Sequence, residues 1–173
     1  MFLIRVFYEN KDLEKYDNKT AYRRKKIMMQ VRKMVIEDYE KVYQLWMTCT
    51  GMGLNNLDDS KEGIEKFLKR NPETCFVAED KEIVGVILAG NDGRRGYIYH
   101  TAVKPDFRKQ GIASKLLKFV EKAMAEQGIH KIALVVFGKN EAGNAFWEKQ
   151  EFSEREDLVY RNKALTKIVR IDT

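Results

Sequence analysis

Histidine, cysteine and proline occur only twice each in this chain of 173 residues, and the scarcity of the first two is restrictive. His100 and His130 stand alone, which excludes a histidine-built metal centre, so no metal is expected. Cys49 and Cys75 have neither metal nor redox spacing, and two lone thiols suit a reducing cytoplasm, the expected location. No apolar run approaches the ~20 residues of a membrane-spanning helix. The opening Met1-Phe2-Leu3-Ile4-Arg5 is charged too early for a signal peptide. What remains is a length suited to one domain with a substantial core, 44% hydrophobic and 34% charged.

A net charge of +6 invites a nucleic-acid reading until it is mapped. Residues 1–33 carry ten Lys or Arg against four acids, and the other 140 residues are balanced at 22 of each sign. The excess therefore belongs to an N-terminal segment whose densest part is Arg23-Arg24-Lys25-Lys26. The rest offers no bias toward a phosphate backbone, so neither nucleic acid nor membrane is an expected partner. Residues 1–28 read as a basic extension and 29–173 as the folded domain. Met28-Met29 offers an alternative start, which makes the extension dispensable. The competing reading is an arm that adds a strand to a neighbouring sheet edge.

From Val31 the pattern becomes orderly. Val31 to Val35 alternates as a strand, and Tyr39, Val42, Tyr43 and Trp46 fall at helical spacing. Gly51 to Asn56 breaks that helix. Asp58, Asp59 or Ser60 can cap a second one carrying Ile64, Phe67 and Leu68, which Asn71-Pro72 ends. The period then changes to that of strands: 75–79, 83–89, and one starting near Tyr97, joined by turns at Asp80-Lys81 and Asn91-Asp92-Gly93. Pro105 closes the third of these. A helix with Ile112, Leu116, Leu117, Val120 and Met124 on its buried face follows and stops at Gly128. Ile132 to Phe137 is apolar throughout and predicts a strand covered on both faces. A short helix over 140–149 and two final strands within Phe152 to Leu165 complete an α/β (α+β) chain.

Between the strand at Tyr97–Val103 and the next helix lies Arg108-Lys109-Gln110-Gly111-Ile112-Ala113. The opening amides of a helix have no intrahelical partner, and its dipole adds partial positive charge there, so a strand, turn and glycine-bearing helix start make an anion site. Gly111 permits close phosphate approach, Ala113 stays small, and Arg108 adds charge.

This segment, with the element order around it, resembles the acyl-CoA pyrophosphate loop of the GNAT N-acetyltransferase superfamily. A second likeness lies in Asn140, the run Ala142-Gly143-Asn144-Ala145-Phe146-Trp147, and Glu151-Phe152, where the family often has Asn, Ala-x-x-Phe-Tyr and Gly-Phe. The hairpin Asp92 to Gly96 resembles a bacterial subgroup of small GNATs with unassigned substrates. The resemblance implies a mixed central sheet with a V-shaped splay between the fourth and fifth core strands, flanked by helices. Pantetheine would enter the V against the backbone at Ala102 and Val103. The pyrophosphate would sit on residues 109–114, that is Lys109, Gln110, Gly111, Ile112, Ala113 and Ser114. Asn140, Phe146 and Trp147 would line the cleft.

Two departures matter. The family's frequent general acid, a Tyr, aligns with Trp147, whose indole N–H is no proton source, so Trp147 reads as packing. The catalytic Glu of the histone-acetylating branch lies six residues before the Val103 position, which falls on Tyr97. His100, Tyr97 and Tyr160 remain as proton-transfer candidates, and strict alternation sets Tyr97 and Tyr99 on the opposite face from His100. The implied reaction is acetyl transfer from acetyl-CoA to a primary amine by direct attack. The alternative is an acyl-CoA-binding regulatory protein with lost chemistry. The acceptor, small molecule or protein amine, stays open, as does the choice of monomer or homodimer.

Overall fold

The computed structural model describes residues 29–171; the basic extension over 1–28 lies outside the described residues. Five strands form one sheet in chain order. β1 (Gln30–Lys33), β2 (Phe76–Asp80), β3 (Glu82–Asn91) and β4 (Gly96–Val103) run antiparallel, and β5 (Ile132–Leu134) joins β4 in parallel. Parallel pairing requires a crossover, and α3 (Ile112–Glu126) supplies it. α1 (Tyr39–Met47) and α2 (Lys61–Arg70) cover the other face, and α4 (Glu141–Lys149) follows β5. Among the described residues no helix is long and apolar enough to cross a membrane.

Each face of the sheet builds its own core. Val42, Leu45, Trp46 and Ile64 pack with Val77, Val86 and Leu88 on the α1–α2 side. Ile112, Leu116, Leu117, Val120 and Met124 of α3 pack with Ala78, Val84, Ile87 and Ile98 on the other. Ser60 is the cap of α2, its Oγ accepting from the Gly63 N–H at 3.0 Å. Turns fall at Lys81 (φ 62°) and Gly93 (φ 86°), and Gly128 (φ 71°) follows the end of α3.

Two expectations fail, for related reasons. The apolar run 132–137 is a strand only over its first three residues, and alternate residues are open: Val135 is 56% exposed and Phe137 38%. Ile132 and Leu134 pack toward α3, whereas Ala133, Val135 and Phe137 on the opposite side are exposed among the described residues. Phe152 to Leu165 contains no strand, and Leu158, Val159 and Tyr160 are exposed at 61%, 75% and 69%. Those three apolar residues are consecutive rather than alternating, so neither face of a strand is defined. Just before them Arg155 grips Asp157 through two bonds of 2.7 and 2.6 Å, a local pairing that suits a turn.

Gly85 marks the closest approach of sheet and helix: a Cβ there would sit 2.8 Å from Ile112 Cγ2 and 3.1 Å from Leu116 Cδ1. Gly85→Val should therefore cost about 1–3 kcal/mol by overpacking, measured by urea denaturation. A variant as stable as the parent would show that α3 is not seated on β3 in this way.

Candidate functional site

The β3–β4 register slips by one residue. Leu88 opposes His100 while Ala89 opposes Ile98, which leaves Tyr99 as the extra residue of a bulge. Parallel pairing of β4 with β5 covers Gly96, Tyr97 and Ile98 and goes no further. The bulge therefore begins where the pairing ends. Beyond it β4 continues to Val103 without β5 beside it, so the two strands enclose a cleft.

The bulge also overturns the alternation expected for this strand. Ile98 faces α3, whereas Ala102 faces α1. Tyr97, Tyr99 and His100 all gather on the α1–α2 side. Tyr99 stacks edge-on against Phe67 at 5.1 Å and lies 4.9 Å from Tyr97, and the His100 ring lies 5.2 Å from Trp46. Burial pushes the Tyr97 phenol above its ordinary range, helped by Tyr160 and Tyr99. Tyr99 is raised by burial and then by Asp58, Asp92 and Tyr160. The three phenols are thus electrostatic neighbours, and Tyr97 and Tyr99 are held as proton donors.

His100 is pinned. Its Nε2–H donates to Asp59 Oδ1 at 2.7 Å, with side-chain exposures of 12% and 4%. Its Nδ1 is enclosed and has no partner among the described residues. A carboxylate accepts only, so Nε2 is the nitrogen that carries a proton in this pair. With one nitrogen committed and the other enclosed, the geometry is that of an anchor. Asp59 also accepts from the Asn55 N–H at 2.7 Å through Oδ2, while its carbonyl accepts from Tyr39 Oη at 2.9 Å. The sequence analysis named Asp59 as a candidate cap of α2, without its buried partner. The signal was faint: once Ser60 caps α2, the carboxylate beside it is left without a duty.

At the other end of the cleft, α3 starts at Gly111 (φ 78°), with no side-chain cap and nothing within 4 Å of where a Cβ would stand. Lys109 (φ 59°) is also left-handed. Among the described residues the amides of the first turn, from Ile112, Ala113 and Ser114, thus have no side-chain acceptor, although the Ile112 side chain is core at 3% exposure. Gln110 donates to the Asp106 carbonyl at 3.4 Å. Arg108 turns back along the strand: its Nε donates to the Val103 carbonyl at 3.1 Å and Nη2 lies 3.4 Å from Cys49 Sγ. Ala102 is buried beside them.

Across the cleft, Asn140 caps α4 by accepting from the Gly143 N–H at 3.0 Å. It lines a cavity of about 410 Å³ with Thr50, Gly51, Phe137 and Lys139. Phe146 and Trp147 stack edge-on at 4.8 Å, and Trp147 meets Phe152 at 5.1 Å, packed toward the α3 core. A second cavity of similar size, between α1 and Lys104, lies apart from these residues.

The sequence matches the acetyltransferase (GNAT) family over residues 39–152. It is 36% identical over 138 residues to an acetyltransferase of Sodalis glossinidius, an alignment covering 79% of this chain and 96% of that one. Two solved structures share the fold: Ard1 from Thermoplasma volcanium, at 23% identity, TM-score 0.65 and coverage of 72% and 82%; and the PaiA N-acetyltransferase of Thermoplasma acidophilum in complex with coenzyme A, at 23% identity, TM-score 0.62 and coverage of 70% and 87%.

Removing the Asp59 carboxylate strands His100 Nε2 and the Asn55 amide in a buried place. Asp59→Ala should cost about 3 kcal/mol in thermal or urea unfolding. A loss below about 0.5 kcal/mol, the scale of an ordinary surface substitution, would rule out the anchor.

Proposed function

The chain belongs to the GNAT acetyltransferase family, and from that premise we propose direct transfer of an acetyl group from acetyl-CoA to a primary amine. One observation carries the reading. The cleft opened at the Tyr99 bulge runs along the free part of β4 to an uncapped helix start. Acetyl-CoA, when bound, supplies a thioester already activated for attack.

The donor end is built to hold it. The amides of residues 109–114 and the open space at Gly111 accept pyrophosphate, with Arg108 and Lys109 adding positive charge. The exposed edge of β4 at Ala102 and Val103 takes the pantetheine arm. Since Arg108 holds the Val103 carbonyl, it shifts toward the phosphates as the arm arrives. Asn140, Phe146 and Trp147 form the facing wall.

Transfer requires a neutral amine and a proton for the departing sulfur. Tyr97 occupies the reactive stretch of β4, and its raised pKa keeps the phenol protonated at neutral pH, so it serves as the proton donor. Tyr160 supports that phenol as a neighbour, and His100 with Asp59 holds the strand rather than taking the amine proton. Water accepts that proton. Positioning of the two reactants supplies much of the rate, and a backbone N–H near Val103 faces the developing oxyanion.

Two outcomes are expected. Gly111→Val should stay folded at a cost of about 1–2 kcal/mol from its left-handed backbone. It should also weaken acetyl-CoA roughly tenfold or more, because the side chain fills the phosphate approach. Unchanged affinity by calorimetry would sink the donor site. Tyr97→Phe should lower kcat about a hundredfold. In the parent, kcat should fall only as pH rises above about 10, because the raised phenol must ionise before the donor is lost. A parental kcat that already falls as pH rises through neutrality would overturn the Tyr97 assignment.

A further inference from the structure

The bulge that opens the cleft also turns an aromatic ring into solvent. Tyr99, its extra residue, is 54% exposed. Phe67 of α2 meets the ring edge-on at 5.1 Å, with the planes 79° apart, and Tyr97 lies 4.9 Å away at 52°. Two neighbours thus fix how the ring stands, and about half of its surface stays open. Tyr97 is the residue proposed above to protonate the departing sulfur, so this open ring stands one place from the reacting atoms.

The charges that act on the ring are negative. Asp58 in the α1–α2 loop and Asp92 in the β3–β4 turn are exposed acids, and after burial they are the main groups raising the Tyr99 phenol. Asp92 is kept ionised: its Oδ1 accepts from the Arg95 and Arg94 amides at 2.7 and 2.8 Å, which hold the carboxyl below its usual range. Asp58 is steadied by the Asn55 Nδ2–H, which donates to its Oδ2 at 3.1 Å. An aromatic face is negative at its centre, so rings with two carboxylates near them attract a cation and disfavour an anion.

We infer that Tyr99 is a specificity residue and that the acceptor is an amine carrying a second positive charge, a diamine in its simplest form. This rests on the amine acetylation proposed above. The neutral nitrogen attacks the thioester carbon and the C–S bond breaks. Tyr97 protonates the sulfur while water takes the proton of the amine. The other nitrogen stays protonated over the Tyr99 ring, with Asp58 and Asp92 as its counter-charges. An α-amino acid would bring its carboxylate to the same two acids as a like charge.

The test compares α,ω-diamines, from diaminoethane to diaminohexane, with n-alkylamines of equal carbon number. In the parent, kcat/KM for the best diamine should exceed that of its monoamine by about tenfold or more. Tyr99→Leu, apolar but without the ring, should erase that ratio, and Tyr99→Phe should retain it. Asp58→Asn combined with Asp92→Asn keeps the local hydrogen-bond acceptors, and it should cut the ratio roughly threefold through the diamine alone. Equal use of the two amines by the parent, a preference for the alkylamine, or a ratio that survives Tyr99→Leu overturns this inference while leaving amine acetylation intact. Failure to acetylate any amine, with acetyl-CoA bound by calorimetry, sinks both.

Discussion

One extra residue in β4 sets the rest of the site. A β-strand displays its side chains alternately, so without the Tyr99 bulge His100 would stand on the opposite face from Tyr97 and Tyr99. The bulge cancels that alternation for one step and bends the strand where β5 ceases to accompany it. The cleft and the polar face that looks across it thus have a single cause. Pairing β5 further along β4 would close the cleft, and removing the bulge would turn the phenols away from His100. Neither change could be made without the other following.

The polar face is stabilised from below. Asp59 is nearly sealed from solvent, yet its carboxylate meets His100 and the Asn55 amide, and its own carbonyl meets Tyr39. A buried carboxylate is tolerable only when both oxygens are engaged, and here both are. The α1–α2 loop is therefore a fixed wall rather than a free loop. Its outer edge, Leu54 to Asn56, is ordered enough to hold residues 169–171 through backbone bonds.

Much of this was legible in the residues and some was not. The helical spacing of Tyr39, Val42, Tyr43 and Trp46, the Ser60 cap and the buried stripe of α3 gave α1, α2 and α3 with their faces, because local periodicity determines them. The Gly111 start was legible for the same reason. The bulge was not, since nothing in Tyr97 to Val103 announces an unpaired residue and register is set by the partner strand. The run 132–137 misled because apolar composition reports a tendency to be buried, not the presence of something to bury against. The two final strands failed likewise: Leu158, Val159 and Tyr160 have strand propensity but stand exposed, with no face buried. Asp59 escaped because its partner lies 41 residues away in the chain, where no spacing rule reaches.

The two ends of the cleft differ in what specifies them. On the proposed reading the donor end works through backbone: amides of a helix start, a strand edge, and a glycine valued for the absence of a side chain. Such features survive wide sequence change. On the proposed reading the acceptor end is lined by side chains of the loops, where substitution changes charge or shape more readily than it disturbs the sheet. Family membership therefore speaks to the donor, and the acceptor has to be read from residues particular to this chain.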